Sequence, residues 1–132
     1  MRVLLIEDEP TTAKAIELML SAEGFNVYST DLGEEGLDLG KLYDYDIILL
    51  DLNLPDASGI DILRRIKEND HLKTTPVVVL TTTDDAHEIK RCYELGCNVY
   101  ITKPVNYESF ANAIRQLGLF FSVIQVPEAS AT

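Results

Sequence analysis

The chain has 132 residues, long enough for one domain that buries a core without disulfide or metal staples and short for two. Its net charge of −11 argues against direct nucleic-acid binding, because phosphate neutralisation by Lys and Arg supplies most non-specific affinity. No apolar run reaches the length of a membrane span, and acids follow the short start "MRVLLIEDEP" where a signal peptide needs small residues, so the reading is a cytoplasmic protein without membrane contact.

Five short apolar segments are predicted as strands: "RVLLI" at 2–6, "FNVYS" at 25–29, "DIILL" at 46–50, "PVVVL" at 76–80 and "NVYIT" at 98–102. After the first, Ala13, Ile16, Met19 and Leu20 form an apolar stripe at helical spacing, with Gly24 as a stop signal. Ile62, Leu63 and Ile66 repeat this after Gly59, as do Ile89, Cys92 and Tyr93 before Gly96. The last stripe is Phe110, Ala113, Ile114 and Leu117. Strands one, three and four are nearly continuous aliphatic runs, as parallel strands covered on both faces require. The regular alternation predicts a doubly wound α/β sheet. Past Gly118, "LFFSVIQVPEASAT" leaves the alternation: its apolar part reads as a helix extension or an added strand, its polar end as frayed. Cys92 and Cys97 lack metal-site spacing and read as free thiols in a reducing compartment, and His71 and His87 as surface residues.

In an open α/β sheet, ligands bind outside the carboxyl ends of the strands, near the point where strand order reverses. Strand one runs into Glu7 and Asp8, strand three into Asp51, strand four into Thr81 and strand five into Lys103. Alone, Asp51 reads as a solvated residue at a strand-to-loop junction. Together, three acids, a hydroxyl and a lysine meet on one edge. Clustered carboxylates repel, so either some are protonated or a cation sits among them. Mg²⁺ suits a few carboxylates plus phosphate oxygens. Carboxylate, Mg²⁺, Lys and hydroxyl are what phosphoryl transfer onto a carboxylate oxygen requires.

Over residues 1 to about 120 this set resembles the receiver domain of two-component response regulators, leaving 121–132 as a C-terminal extension that is partly disordered or dimer-forming. The resemblance implies a flavodoxin-like receiver fold with five parallel strands in the order 2-1-3-4-5. It implies that Asp51 accepts the phosphoryl group and that Mg²⁺ is held by Asp8, Asp51 and the Asn53 backbone carbonyl, with Glu7 acting through water. Lys103 would contact the phosphoryl group and Thr81 would hydrogen-bond to it, with Tyr100 turning inward as the switch. Such a domain catalyses only its own phosphorylation and dephosphorylation. Similar receivers often carry a cis bond before the proline at Lys103-Pro104, and Pro104 holds Lys103 extended. Pro55 and Gly59 suit the return from strand three to the next helix. Glu7 replaces the commoner Asp, Ala57 and Ser58 occupy a loop that often carries an acid before the glycine, and Thr82 is larger than usual. Asn53 and Thr83 lie where the family tunes phosphate lifetime.

The first part, ending "IILLDLNLPDASG", resembles the receiver of the alphaproteobacterial cell-cycle master regulator, a family that continues into a winged-helix DNA-binding domain with no counterpart in these residues. From about Ile60, "VVVLTTT", "CYELGCNVYITK" and "FFSVIQVP" resemble the single-domain regulators that partner bacterial phytochrome histidine kinases. A hybrid, natural or engineered, joined near residues 56 to 70, or one ancestral regulator resembling both, accounts for this. The second resemblance implies a sensor histidine kinase of bacteriophytochrome type as partner, contacting the first helix and the loop after strand five. It also implies a homodimer through the helix-four, strand-five, helix-five face, using Tyr93, Phe120, Phe121 and Val123.

Three alternatives stand beside it. A haloacid-dehalogenase-like Mg²⁺-dependent phosphatase wants an Asp two residues after its nucleophile, where Asn53 stands. A flavin-binding protein of the same architecture would hold phosphate in a Ser, Thr and Gly-rich loop after strand one, and "EDEP" repels phosphate. A docking module independent of phosphorylation needs none of the set, yet no member of it is missing.

Overall fold

The computed structural model describes residues 1–118. Its elements alternate without exception: β1 (Arg2–Ile6), α1 (Pro10–Ala22), β2 (Asn26–Thr30), α2 (Gly33–Leu42), β3 (Ile47–Asp51), α3 (Gly59–Glu68), β4 (Val77–Thr81), α4 (Ala86–Glu94), β5 (Val99–Thr102) and α5 (Tyr107–Gln116). All pairings are parallel, in the order β2-β1-β3-β4-β5. This is the expected doubly wound receiver topology, and its order reverses between β1 and β3. The strands read from sequence hold, but β2, β3 and β4 are each shifted one residue toward the carboxyl end, so Thr30, Asp51 and Thr81 are strand residues.

Side chains of a strand alternate between faces, and here both faces are covered. Val3, Leu5, Ile47, Leu49, Val78 and Leu80 point to one side, where Ile16 and Leu20 of α1 and Phe110 and Ile114 of α5 close the core. Leu4, Ile6, Ile48, Leu50, Val77 and Val79 point to the other, against Leu37, Ile62, Leu63, Ile66 and Cys92 from α2, α3 and α4. The central strands β3 and β4 are buried throughout, which holds their last residues rigidly. At the amino end of the sheet, the Arg2 guanidinium packs over Tyr28, Tyr45 and Tyr43 at 5.0, 5.4 and 5.9 Å from their ring centroids.

Helix ends follow local chemistry. Glu9 accepts from the Thr11 and Thr12 amides to cap α1, Asp85 caps α4 through His87, and Asn106 with Ser109 forms a capping box on α5. Gly24 and Gly96 stop α1 and α4 in the left-handed region at φ 84° and 108°. Helix α2 differs: Leu32 occupies its N-cap position and supplies no side-chain hydrogen bond. Its buried face is Gly33, Gly36, Leu37 and Gly40, so it carries no broad apolar stripe. What those glycines provide is close approach. A Cβ on Gly36 would lie 2.4 Å from Ile6 Cδ1 and 2.6 Å from Cγ1, and Ile6 is fully buried.

Cys92 and Cys97 are free and buried, as read. Burial first and Cys92 second push the Cys97 thiol up to about 12, so it stays protonated. His71 and His87 are exposed. Among the described residues no helix is long and apolar enough to cross a membrane.

Ala has about 1 kcal/mol better helix propensity than Gly, whereas overpacking a filled core costs about 1–3 kcal/mol. Packing wins at this position. Gly36→Ala is expected to lower stability by about 1–2 kcal/mol, seen as a lower urea midpoint at unchanged slope.

Candidate active site

The acidic edge forms because the carboxyl ends of β1, β3 and β5 lie on the same side of the sheet. Asp51 is the final residue of β3, Glu7 and Asp8 follow β1 directly, and Lys103 follows β5 by one residue. Carboxylate oxygens of Glu7, Asp8 and Asp51 all lie within 4.8 Å of one another. Glu7 and Asp51 are buried and Asp8 is exposed, so the cluster has one open side. Lys103 Nζ bridges the buried pair, 2.7 Å from Glu7 Oε1 and 3.2 Å from Asp51 Oδ1. The Lys103 amide donates to the Thr81 carbonyl at 2.7 Å, and the Lys103-Pro104 peptide is cis.

The oxygens of Asp51 are not equivalent. Oδ1 accepts from the Asn53 amide at 3.1 Å and meets Lys103, whereas Oδ2 is buried with no hydrogen-bond partner. Burial first, and then Glu7, raise the Asp51 pKa above the ordinary carboxyl value. Asp8 is raised too, by partial burial and by Asp51. For Lys103, burial works against the charged form, but Glu7 and Asp51 together outweigh it and raise its pKa. At an effective dielectric of about 20, each carboxylate pair at this separation repels by roughly 3 kcal/mol. One ammonium among three acids leaves the ionised cluster at net −2. An unpartnered buried oxygen, an open side and an all-oxygen donor set fit a hard divalent cation such as Mg²⁺.

Thr81 is buried at the end of β4, one residue past Leu80, which pairs with Asp51, and its Oγ1 accepts from the Thr83 amide at 3.0 Å, which leaves its O–H to donate. Thr82 is exposed and Thr83 part-buried, its Oγ1 accepting from the Asp85 amide. Tyr100 is half-buried, its ring edge-on to Tyr93 at 5.8 Å. It lines a groove with Tyr93, Ile101, Ser109 and Ala113 between α4, β5 and α5. Tyr93 is 44% exposed, off the buried side of α4 despite its place in the apolar stripe. Phe120, Phe121 and Val123 lie outside the described residues.

The β3–α3 loop holds what sequence reading missed. Gly59 is needed there for closeness, not for its φ: a Cβ would lie 2.3 Å from Leu52 Cα and 2.7 Å from the Asp51 carbonyl oxygen. The loop closes through a bridge between Asn53 and Ser58 and through the Gly59 amide donating to the Leu52 carbonyl. At its tip, Asp56 Oδ1 accepts from the Gly33 amide at 2.8 Å and Oδ2 from the Glu34 amide at 3.0 Å. Asp56 thus caps α2 from another loop, and the Glu34 and Gly33 amides hold its carboxyl below the ordinary range. The sequence pattern predicts no helix there; in the structure Leu32 at the α2 N-cap lacks a capping side chain and demands an acceptor from elsewhere.

The pattern of the response regulator receiver domain matches residues 3–115. The chain belongs to the response regulator receiver family. This receiver is 57% identical over 104 residues to the cell cycle transcriptional regulator CtrA of Caulobacter vibrioides, covering 79% of this chain and 44% of that protein. It spans about half the length of the curated relatives it matches. Among solved structures, a response regulator receiver domain from Rhodospirillum rubrum is 51% identical with a TM-score of 0.75, covering 93% of this chain and 94% of that one. A bacteriophytochrome response regulator is 30% identical with a TM-score of 0.81, covering 92% and 80%. The receiver domain of a Pseudomonas aeruginosa sensor histidine kinase, with magnesium coordinated in its active-site cleft, is 29% identical with a TM-score of 0.79, covering 89% and 97%.

Because the folded-state pKa of Asp51 lies above its unfolded value of about 3.9, ionisation opposes folding. The stabilisation it contributes is complete below the unfolded value and lost as pH rises through the raised one. Without divalent cations at pH 7.5, Asp51→Asn is therefore expected to melt at a higher temperature than the wild type. Thermal unfolding from pH 7.5 down to 4 should show the gap closing.

Proposed function

We propose that this receiver accepts a phosphoryl group on Asp51 Oδ2 from a phosphohistidine of a sensor kinase. The observation that carries this is the buried, unpartnered Oδ2, held at the end of β3 with Lys103 beside its sister oxygen. The donor's P–N bond breaks as the P–O bond to Oδ2 forms, and the imidazole leaves. The Asn53 amide and Lys103 hold Oδ1, which leaves the unpartnered Oδ2 to bond the phosphorus. Lys103 balances charge on the transferred group, and the free Thr81 O–H donates to one of its oxygens. Asp8, Asp51 and the Asn53 backbone carbonyl would hold Mg²⁺, with Glu7 acting through water. Bound there, Mg²⁺ supplies the positive charge that phosphoryl oxygens require. Thr81 drawn toward the phosphoryl group makes room for Tyr100 to turn inward, which carries the change to the α4–β5–α5 face.

Intact mass after incubation with acetyl phosphate and Mg²⁺ tests this chemistry. One phosphoryl addition is expected in the wild type, and none in Asp51→Asn or without divalent cation. Absence of any addition to the wild type would favour a phosphorylation-independent docking module.

The receiver unit is read as residues 1–120, followed by an extension at 121–132, acting in the cytoplasm. The exposed Tyr93 and the groove beside it support a homodimer across the α4–β5–α5 face, with Phe120, Phe121 and Val123 adding to it. Likeness to a bacteriophytochrome response regulator supports a phytochrome-type kinase as partner. The charge of −11 opposes direct DNA binding. Light scattering should give twice the chain mass at high protein concentration, and Tyr93→Asp should reduce it to a monomer. A wild-type monomer, with or without phosphorylation, rejects the dimer.

A further inference from the structure

We infer that Asp56 is a positioning residue for the metal site, and that through it the N-terminus of α2 sets the conformation of the loop carrying the Asn53 carbonyl. On the reading proposed above that carbonyl is a metal ligand, and the role of Asp56 rests on it.

The loop between β3 and α3 is fixed at both feet, by the Asn53–Ser58 bridge and by the Leu52–Gly59 hydrogen bond. Its tip, residues 54–57, has no such ladder. Among the described residues, the side-chain hydrogen bonds that tie this tip to another element are those Asp56 accepts from the Gly33 and Glu34 amides. Leu54 packs beside the same helix start, where a Cβ on Gly33 would lie 3.1 Å from Leu54 Cδ1. Two charge-assisted bonds to consecutive amides set both the distance and the rotation of the tip. Asn53 sits three residues from Asp56, with the rigid Pro55 between them. Since Leu32 cannot cap α2, helix and loop each lack something the other provides. Outer partners of metal ligands commonly matter about tenfold in affinity. Linkage is reciprocal: if the tether favours metal binding, the metal must tighten the tether.

Calorimetric titration with Mg²⁺ and backbone amide hydrogen exchange on the same full chain test this. Asp56→Ala should weaken Mg²⁺ binding by about tenfold, with Asp56→Asn, which keeps one acceptor oxygen, in between. The pair Asp56→Ala with Leu32→Asp restores a cap to α2 and the original net charge but not the tether. Its melting temperature should recover and its Mg²⁺ affinity should not. In the wild type, Mg²⁺ should slow exchange of the Gly33 and Glu34 amides, an effect lost in Asp56→Ala. Wild-type affinity in Asp56→Ala, recovery of affinity in the doubly substituted chain, or exchange at Gly33 and Glu34 indifferent to Mg²⁺ would each overturn the inference. A wild-type chain that binds no Mg²⁺ overturns the proposed metal site, and the positioning role with it.

Discussion

The contact on which the rest of the structure depends is the bridge from Lys103 to Glu7 and Asp51. It joins the carboxyl ends of β1 and β3 to the segment that follows the edge strand β5, and without it two buried carboxylates would face each other uncompensated. Burying acids at strand ends opposes folding, and the fold tolerates it because β1, β3 and β4 are buried in two cores. A site that is electrostatically incomplete in the resting protein is primed for what completes it. This is the usual pattern of local inconsistency at a functional site within an otherwise consistent sequence.

Most of the architecture was legible because parallel strands covered on both faces leave a plain signature. "IILL" and "VVVL" read as strands covered on both faces, and the stripes on α1, α3 and α5 gave their helices. Helix α2 was not legible by the same test. Its packing face is glycine, so what fits it to Ile6, Ile62 and Leu72 is missing volume, which no hydropathy pattern records. Tyr93 shows the converse: at helical spacing with Ile89 and Cys92, it lies exposed in the structure.

In the site, Glu7, Asp8, Asp51, Thr81 and Lys103 were readable from one rule, that the carboxyl ends of strands converge. Their proximity follows from topology and needs no knowledge of side-chain direction. Asp56 was hidden because its partners are backbone amides 23 and 22 residues upstream, and amides carry no residue identity. The inequality of the Asp51 oxygens was equally unreadable, since it depends on where the Asn53 amide and Lys103 end up.

The order in which the charges occur along the chain has a consequence for synthesis. Glu7, Asp8 and Asp51 all precede α3, whereas the ammonium that bridges two of them comes only after β5. A ribosome-bound chain extended as far as β4 would hold four of the five strands and all three acids with no Lys103. Closing that edge early would bring like charges together in a low dielectric, so the native packing of β1 against β3 becomes favourable late. The residue just past the last strand to emerge carries the charge that lets the first ones settle, which ties completion of the sheet to completion of the site.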